Sequence, residues 1–169
     1  GEVRRVPYGD ITAEARRYSK EYGIKPASKD DIKLGLLAIN VQLTFCGRDF
    51  ELFVGGSDGN GAIDDTRRLC EFIYANSDLI HQIHPTMDTH TATQIFHEVF
   101  FVNDRGEHPT PMVAPITTTD IKNGAWKVNP AIADTLGIAY MTLEQHVHHY
   151  VAKLESQGKF SLMIWPYHA

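Results

Sequence analysis

Residues 33–42, KLGLLAINVQ, decide the fold prediction for this chain. Apolar side chains follow one another here without the alternation of a half-exposed strand, and Asp30 and Asp31 precede them. A short, continuous apolar run is typical of a strand covered on both faces, as in a parallel α/β sheet. A buried helix is the competing interpretation, but the run is short and Gly35 disfavours it. We therefore predict a buried strand.

Two more strands and two helices are predicted on the C-terminal side of this strand. The strands are expected at residues 79–85 and 160–165, and the helices at about 62–76 and 141–156. The second helix has apolar residues at helical spacing along its length. Because strands and helices alternate, we predict an α/β fold with a doubly wound, Rossmann-like parallel sheet and flanking helices.

The length of 169 residues predicts one domain, since domains usually have ~100–200 residues. Residues 1–30 are polar and are expected to form an N-terminal arm, with a helix that starts near Thr12. Residues 31–169 are expected to form a single α/β domain. Within it, residues 98–140 are interpreted as an ordered excursion outside the sheet, with a lid as one interpretation.

The composition is that of an ordinary globular protein, with 43% hydrophobic and 22% charged residues and a net charge of −5. A nucleic-acid partner is not expected, because the chain has no basic cluster. A membrane partner is not expected either, because the apolar stretches are far shorter than the ~20 residues that span a bilayer. No secretory signal is visible, and the two cysteines, Cys46 and Cys70, are read as buried thiols. We therefore expect a cytoplasmic protein.

Metal-ligand residues follow the second and third predicted strands. Asp88 and His90 follow the second, and His168 follows the third. Ligands bind beyond the carboxyl ends of parallel strands, and Asp-x-His places both side chains on one side of an extended segment. Imidazole and carboxylate groups suit zinc, iron or manganese. We therefore predict a divalent metal site at Asp88, His90 and His168, with His97 as a further candidate.

Three motifs carry a resemblance to a known family. They are LLAINVQLTFC at residues 36–46, TMDTH at residues 86–90 and IWPYHA at residues 164–169. In this order, each at a predicted strand end, they resemble the N-terminal half of the isochorismatase-like cysteine hydrolases, which include nicotinamidase. The resemblance implies the isochorismatase-like hydrolase fold, incomplete in this chain, and it implies that Asp88, His90 and His168 bind the metal.

The resemblance also implies an activity and its partners. The expected function is hydrolysis of the amide (C–N) bond of a small-molecule substrate by a cysteine thiolate, with Phe45 and Trp165 as walls of the substrate pocket. The nucleophilic cysteine and the catalytic lysine of the family are expected beyond Ala169. This chain is therefore expected to pair with the remainder of the hydrolase fold or with a second chain, and an oligomer is among these expectations.

One departure from the family pattern keeps other interpretations open. Asn40 stands where the family has a catalytic aspartate, and an amide cannot act as a general base. We expect the Asn40 side chain to lie at the pocket without catalysing proton transfer. The alternatives are a non-catalytic binding or structural relative, and a metal-dependent hydrolase that uses Asp88, His90 and His168 without a cysteine nucleophile.

Overall fold

The computed structural model describes residues 5–113 and 115–168. It divides the chain into two compact units: unit 1 comprises the residues up to Arg48 and Phe53–Met87, and unit 2 comprises Asp49–Leu52 and the residues from Asp88 onward. The predicted arm and the first two predicted strands therefore fall in unit 1. All four candidate metal ligands fall in unit 2.

The described residues form a mixed α/β structure in which no helix has the length and apolarity needed to cross a membrane. The helices are α1 (Tyr8–Glu21), α2 (Leu43–Cys46), α3 (Gly61–Ala75), α4 (Thr118–Lys122), α5 (Pro130–Leu136) and α6 (Tyr140–Ser156). The strands are β1 (Leu34–Ala38), β2 (Ile80–Pro85), β3 (Phe101–Val102), β4 (Pro115–Ile116), β5 (Lys127–Val128) and β6 (Leu162–Met163). Short 3-10 turns lie at Ala27–Lys29 and Glu98–Phe100.

Unit 1 contains a two-stranded parallel sheet. Strands β1 and β2 pair with Leu36 opposite Ile83 and Ala38 opposite Pro85, and α3 lies between the two strands in the chain. The predictions of two parallel strands and of the helix at 62–76 are confirmed. Helix α1 begins at Tyr8, one turn before the predicted start, and the Thr12 hydroxyl bonds the Tyr8 carbonyl within the helix instead of capping it.

The apolar side chains of unit 1 are mostly exposed. Among its described residues, Ala38 is the one buried apolar side chain, whereas Leu37 is 59% exposed and Ile39 is 65% exposed. The prediction that β1 is covered on both faces is therefore wrong for the chain as described. The prediction of two buried thiols is also wrong, because Cys70 is exposed and Cys46 is only partly buried.

Unit 2 has a closed hydrophobic core. Helix α6 contributes Leu143, Val147 and Val151, which recur every four residues and therefore share one face. The remaining core residues are Phe100, Phe101, Ile116, Val128, Ile132, Ala133, Leu162 and Ile164. The predicted excursion at 98–140 is therefore ordered, but it supplies six of the eleven core residues and belongs to the body of unit 2.

The third predicted strand does not join the parallel sheet. Residues 162–163, strand β6, pair antiparallel with β4, and β3 pairs antiparallel with β5. The parallel sheet of the described residues therefore has two strands, and the prediction of a third parallel strand is wrong. The physical reason is that β4, carried by the segment at 98–140, pairs with β6 and Leu162 is buried in the core of unit 2. What is confirmed is the α/β character with a small parallel sheet.

Candidate metal centre

Two ligand-type residues lie on the segment that follows β2. Asp88 and His90 are both partly buried, and Nε2 of His90 lies 2.8 Å from Oδ1 of Asp88. The intervening Thr89 is exposed, which agrees with the alternation of side chains along extended backbone. The Asp-x-His spacing thus brings the carboxylate and the imidazole together, as the sequence predicts.

The third ligand-type residue, His168, lies near the C-terminal end of the sequence, and backbone pairing brings it to the other two. The Trp165 amide donates to the Phe96 carbonyl at 2.8 Å, and Trp165 forms an isolated parallel bridge with His97. This pairing directs the last described residues toward Asp88. The side chain of His168 is 5% exposed, and its Nε2 lies 3.5 Å from Oδ2 of Asp88.

The three side chains form one cluster around the Asp88 carboxylate. One ligand atom from each of Asp88, His90 and His168 lies within 4.8 Å of the others. Two ligands of a tetrahedral ion at 2.0–2.2 Å lie about 3.3–3.6 Å apart, so small side-chain adjustments reach coordination distance. Nδ1 of His168 lies 2.7 Å from the Pro166 carbonyl, and this hydrogen bond leaves Nε2 as the ligand atom. The donor set fits a divalent metal.

His97 lies beside this cluster. Its side chain is 1% exposed, and its ring centroid is 6.1 Å from that of His90 and 6.2 Å from that of His168. Nδ1 lies 3.2 Å from the Ala92 carbonyl, whereas the buried Nε2 has no hydrogen-bond partner among the described residues. Burial lowers the pKa of His97, which favours the neutral ring. A neutral imidazole with a free Nε2 lone pair is the form that binds a metal.

Asn40 follows the end of β1, as predicted, and its side chain forms a hydrogen bond within unit 1. Its backbone φ is 53°, in the left-handed region that asparagine tolerates better than most residues. The Asn40 amide donates to Oγ1 of Thr86 at 3.1 Å, and that hydroxyl donates to Oδ1 of Asn40 at 3.0 Å. The pair connects the backbone that leaves β1 with the residue that follows β2.

The two aromatic residues predicted to line a pocket lie in different units. Phe45 is partly buried in α2 of unit 1, and Trp165 is 38% exposed in unit 2 beside His97. That these two rings share one substrate pocket stays a prediction.

Two residues that contact the candidate site residues were missed by sequence reasoning. Thr86 precedes the Asp-x-His motif and bonds Asn40, and Tyr167 precedes His168 and packs on His97. The available sequence signals are a threonine at a strand end and an aromatic residue beside a ligand. Neither predicts the contact, because neither residue has a defined sequence spacing to its partner.

Comparison with protein-family models, with curated proteins and with solved structures gave no match. The family assignment therefore rests on the three motifs and stays a prediction.

Proposed function

We propose that Asp88, His90 and His168 hold a divalent metal in an amide (C–N) hydrolase of the nicotinamidase or isochorismatase-like type. The observation that supports this proposal is the convergence of the three ligand atoms within 4.8 Å, in a cluster that the motifs predicted. When bound, such an ion supplies Lewis-acid chemistry toward a ring nitrogen or a carbonyl oxygen.

The protein's own residues have defined parts in this proposal. Asp88 contributes the negative charge that two neutral imidazoles lack, and it lies between His90 and His168. His97 lies beside this group and outside its 4.8 Å limit, and its buried Nε2 is the further nitrogen that the proposal uses. Trp165 presents an exposed ring on the same segment as His168, which suits a flat aromatic amide.

The resemblance on which this proposal rests implies a cysteine nucleophile that is not among the residues of this sequence. Neither cysteine of this chain is assigned that part: Cys46 follows β1 in α2, and Cys70 lies on the exposed surface of α3.

An amidase assay tests the proposal. The protein in its natural full length, loaded with zinc, iron or manganese, should release ammonia from nicotinamide, and stripping the metal should abolish the activity. The C46S/C70S double variant should keep the activity, and iodoacetamide should still abolish it there. Activity that survives iodoacetamide in this variant would instead support a metal-dependent hydrolase without a cysteine nucleophile.

A non-catalytic relative is the second candidate, and the Asn40–Thr86 pair favours it. Asn40 uses its side chain to fix the strand end, which is a structural role and needs no proton transfer. Asn40→Asp separates the two candidates, because an aspartate tolerates the same backbone and still accepts from Thr86. Amidase activity that rises in Asn40→Asp identifies a degraded catalytic position, and its absence in both proteins supports a binding or structural function.

A further inference from the structure

Tyr167 covers the solvent side of His97. The two ring centroids are 4.6 Å apart with an interplanar angle of 52°. Tyr167 is 44% exposed, whereas His97 is 1% exposed, so the tyrosine is the outer ring of the pair. Removing the tyrosine ring would open the imidazole to water from that side.

Two further contacts of the His97 ring come from Ala92 and Phe96. The Ala92 carbonyl lies 3.2 Å from Nδ1, and the Phe96 ring meets the imidazole edge-on at a centroid distance of 4.8 Å. Phe96 itself packs against the hydrophobic core. One hydrogen bond and two aromatic contacts thus hold the ring, and Tyr167 is the more exposed of the two aromatic rings.

We infer that Tyr167 is a positioning residue of the metal centre. Its ring shields the His97 imidazole from water and fixes its orientation, so that Nε2 is available as a fourth ligand. The inference rests on the proposed metal centre. Its physical basis is that a free lone pair on a buried nitrogen binds an ion without first losing a bound water. A restrained ring also loses less conformational entropy when the ion binds.

Cobalt(II) titration of the protein tests this inference, because the visible spectrum of cobalt reports the number and kind of its ligands. Tyr167→Ala should weaken binding about 10–100-fold, as loss of an outer-shell partner does, and should change the cobalt spectrum because water replaces the His97 nitrogen. Tyr167→Phe keeps the ring and should bind cobalt within about twofold of the wild-type affinity. Phe160→Ala removes a ring that is 97% exposed and serves as the matched control.

A double-mutant cycle with His97→Ala shows whether Tyr167 acts through His97. In the His97→Ala background, Tyr167→Ala should have no further effect on affinity or spectrum. Wild-type affinity and spectrum in Tyr167→Ala, or equal effects in both backgrounds, would overturn the inference and leave the proposed centre standing. Wild-type protein that binds no cobalt, and neither zinc nor manganese in competition, would overturn the proposed centre and this inference with it.

Discussion

At the scale of single residues, Asn40 stands at a position that is catalytic in the resembled family, but its contacts with Thr86 are structural. The Thr86 hydroxyl accepts from the backbone N–H of Asn40 and donates to the side-chain Oδ1 of Asn40, which supports a left-handed backbone at residue 40. The Thr86 amide also donates to the Ala38 carbonyl at 2.9 Å. These contacts extend the pairing of β1 and β2 beyond their last ladder residues.

Thr86→Val should therefore destabilise the protein. Valine has the shape of threonine but removes both hydrogen bonds of the hydroxyl, and we expect a loss of about 1–2 kcal/mol in the free energy of unfolding. Urea denaturation followed by circular dichroism measures it. Thr119→Val, at an exposed position on α4, is the control, and equal stability of the two variants would contradict a structural role for Thr86.

Two of the candidate ligands, Asp88 and His90, were predictable from the sequence because their placement is local. Asp88 and His90 are two residues apart on extended backbone, so their approach needs no tertiary information. The partners of Asn40 and His97 were not predictable, because Thr86 and Tyr167 reach them through strand register and ring packing.

At the scale of elements, a charge-assisted hydrogen bond joins α4 to α6. The Glu155 carboxylate accepts from the Thr118 amide at 2.8 Å, at the start of α4, where Thr117 and Asp120 form a capping box. Hydrogen bonding to Thr118 holds the pKa of Glu155 below its ordinary value. The charged carboxylate is therefore the form that stabilises the fold.

The pH dependence of stability follows from this direction. Because the pKa of Glu155 is depressed in the folded state, its contribution is present above the ordinary pKa that this carboxyl has in the unfolded chain. It is lost as the pH falls through the folded value. Glu155→Gln should lower the melting temperature at pH 7, and the difference from wild type should disappear in strong acid. Glu71→Gln, exposed on α3, is the control, and a pH-independent difference would contradict the assignment.

The predicted apolar strands at residues 33–42 and 160–165 had different outcomes. Ile164 lies in the third predicted strand and is fully buried, whereas Ile39, within the apolar run at residues 33–42, is 65% exposed. The sequence pattern identifies both as extended and apolar, but it cannot say which partner β6 chooses or what covers β1. Those choices depend on contacts between residues far apart in the chain.

Alanine substitutions at Ile164 and Ile39 should therefore lower the free energy of unfolding by different amounts. Ile164→Ala should cost about 2–5 kcal/mol in the free energy of unfolding, since it leaves a cavity in the core of unit 2. Ile39→Ala should cost less than about 1 kcal/mol, because the side chain is already in water. Comparable losses in the two variants, measured by denaturant unfolding, would show that the surface of β1 is covered in solution.

At the scale of the whole molecule, the two units differ in how much apolar surface they bury. Among the described residues, unit 2 has a core of eleven buried side chains, whereas unit 1 has one buried apolar side chain, Ala38. A two-stranded parallel sheet with exposed apolar side chains has little to resist local opening. The partner that the resemblance implies for this sheet, the remainder of the hydrolase fold or a second chain, stays a prediction.

Hydrogen exchange should reveal this difference. Peptides from β1 and β2 should exchange their amides much faster than peptides from α6, whose buried face holds Leu143, Val147 and Val151. Exchange followed by mass spectrometry provides the comparison. Equal protection of the two regions would indicate that unit 1 has a covering partner under the conditions of the experiment.

The central claim is that Asp88, His90 and His168 bind one divalent metal, and metal content measures it most directly. After loading with zinc, iron or manganese and desalting, the wild-type protein should retain about one ion per chain by elemental mass spectrometry, and His90→Ala should lose most of it. His146→Ala, on the exposed face of α6, should match the wild type. Equal metal content in His90→Ala and the wild-type protein would contradict the account.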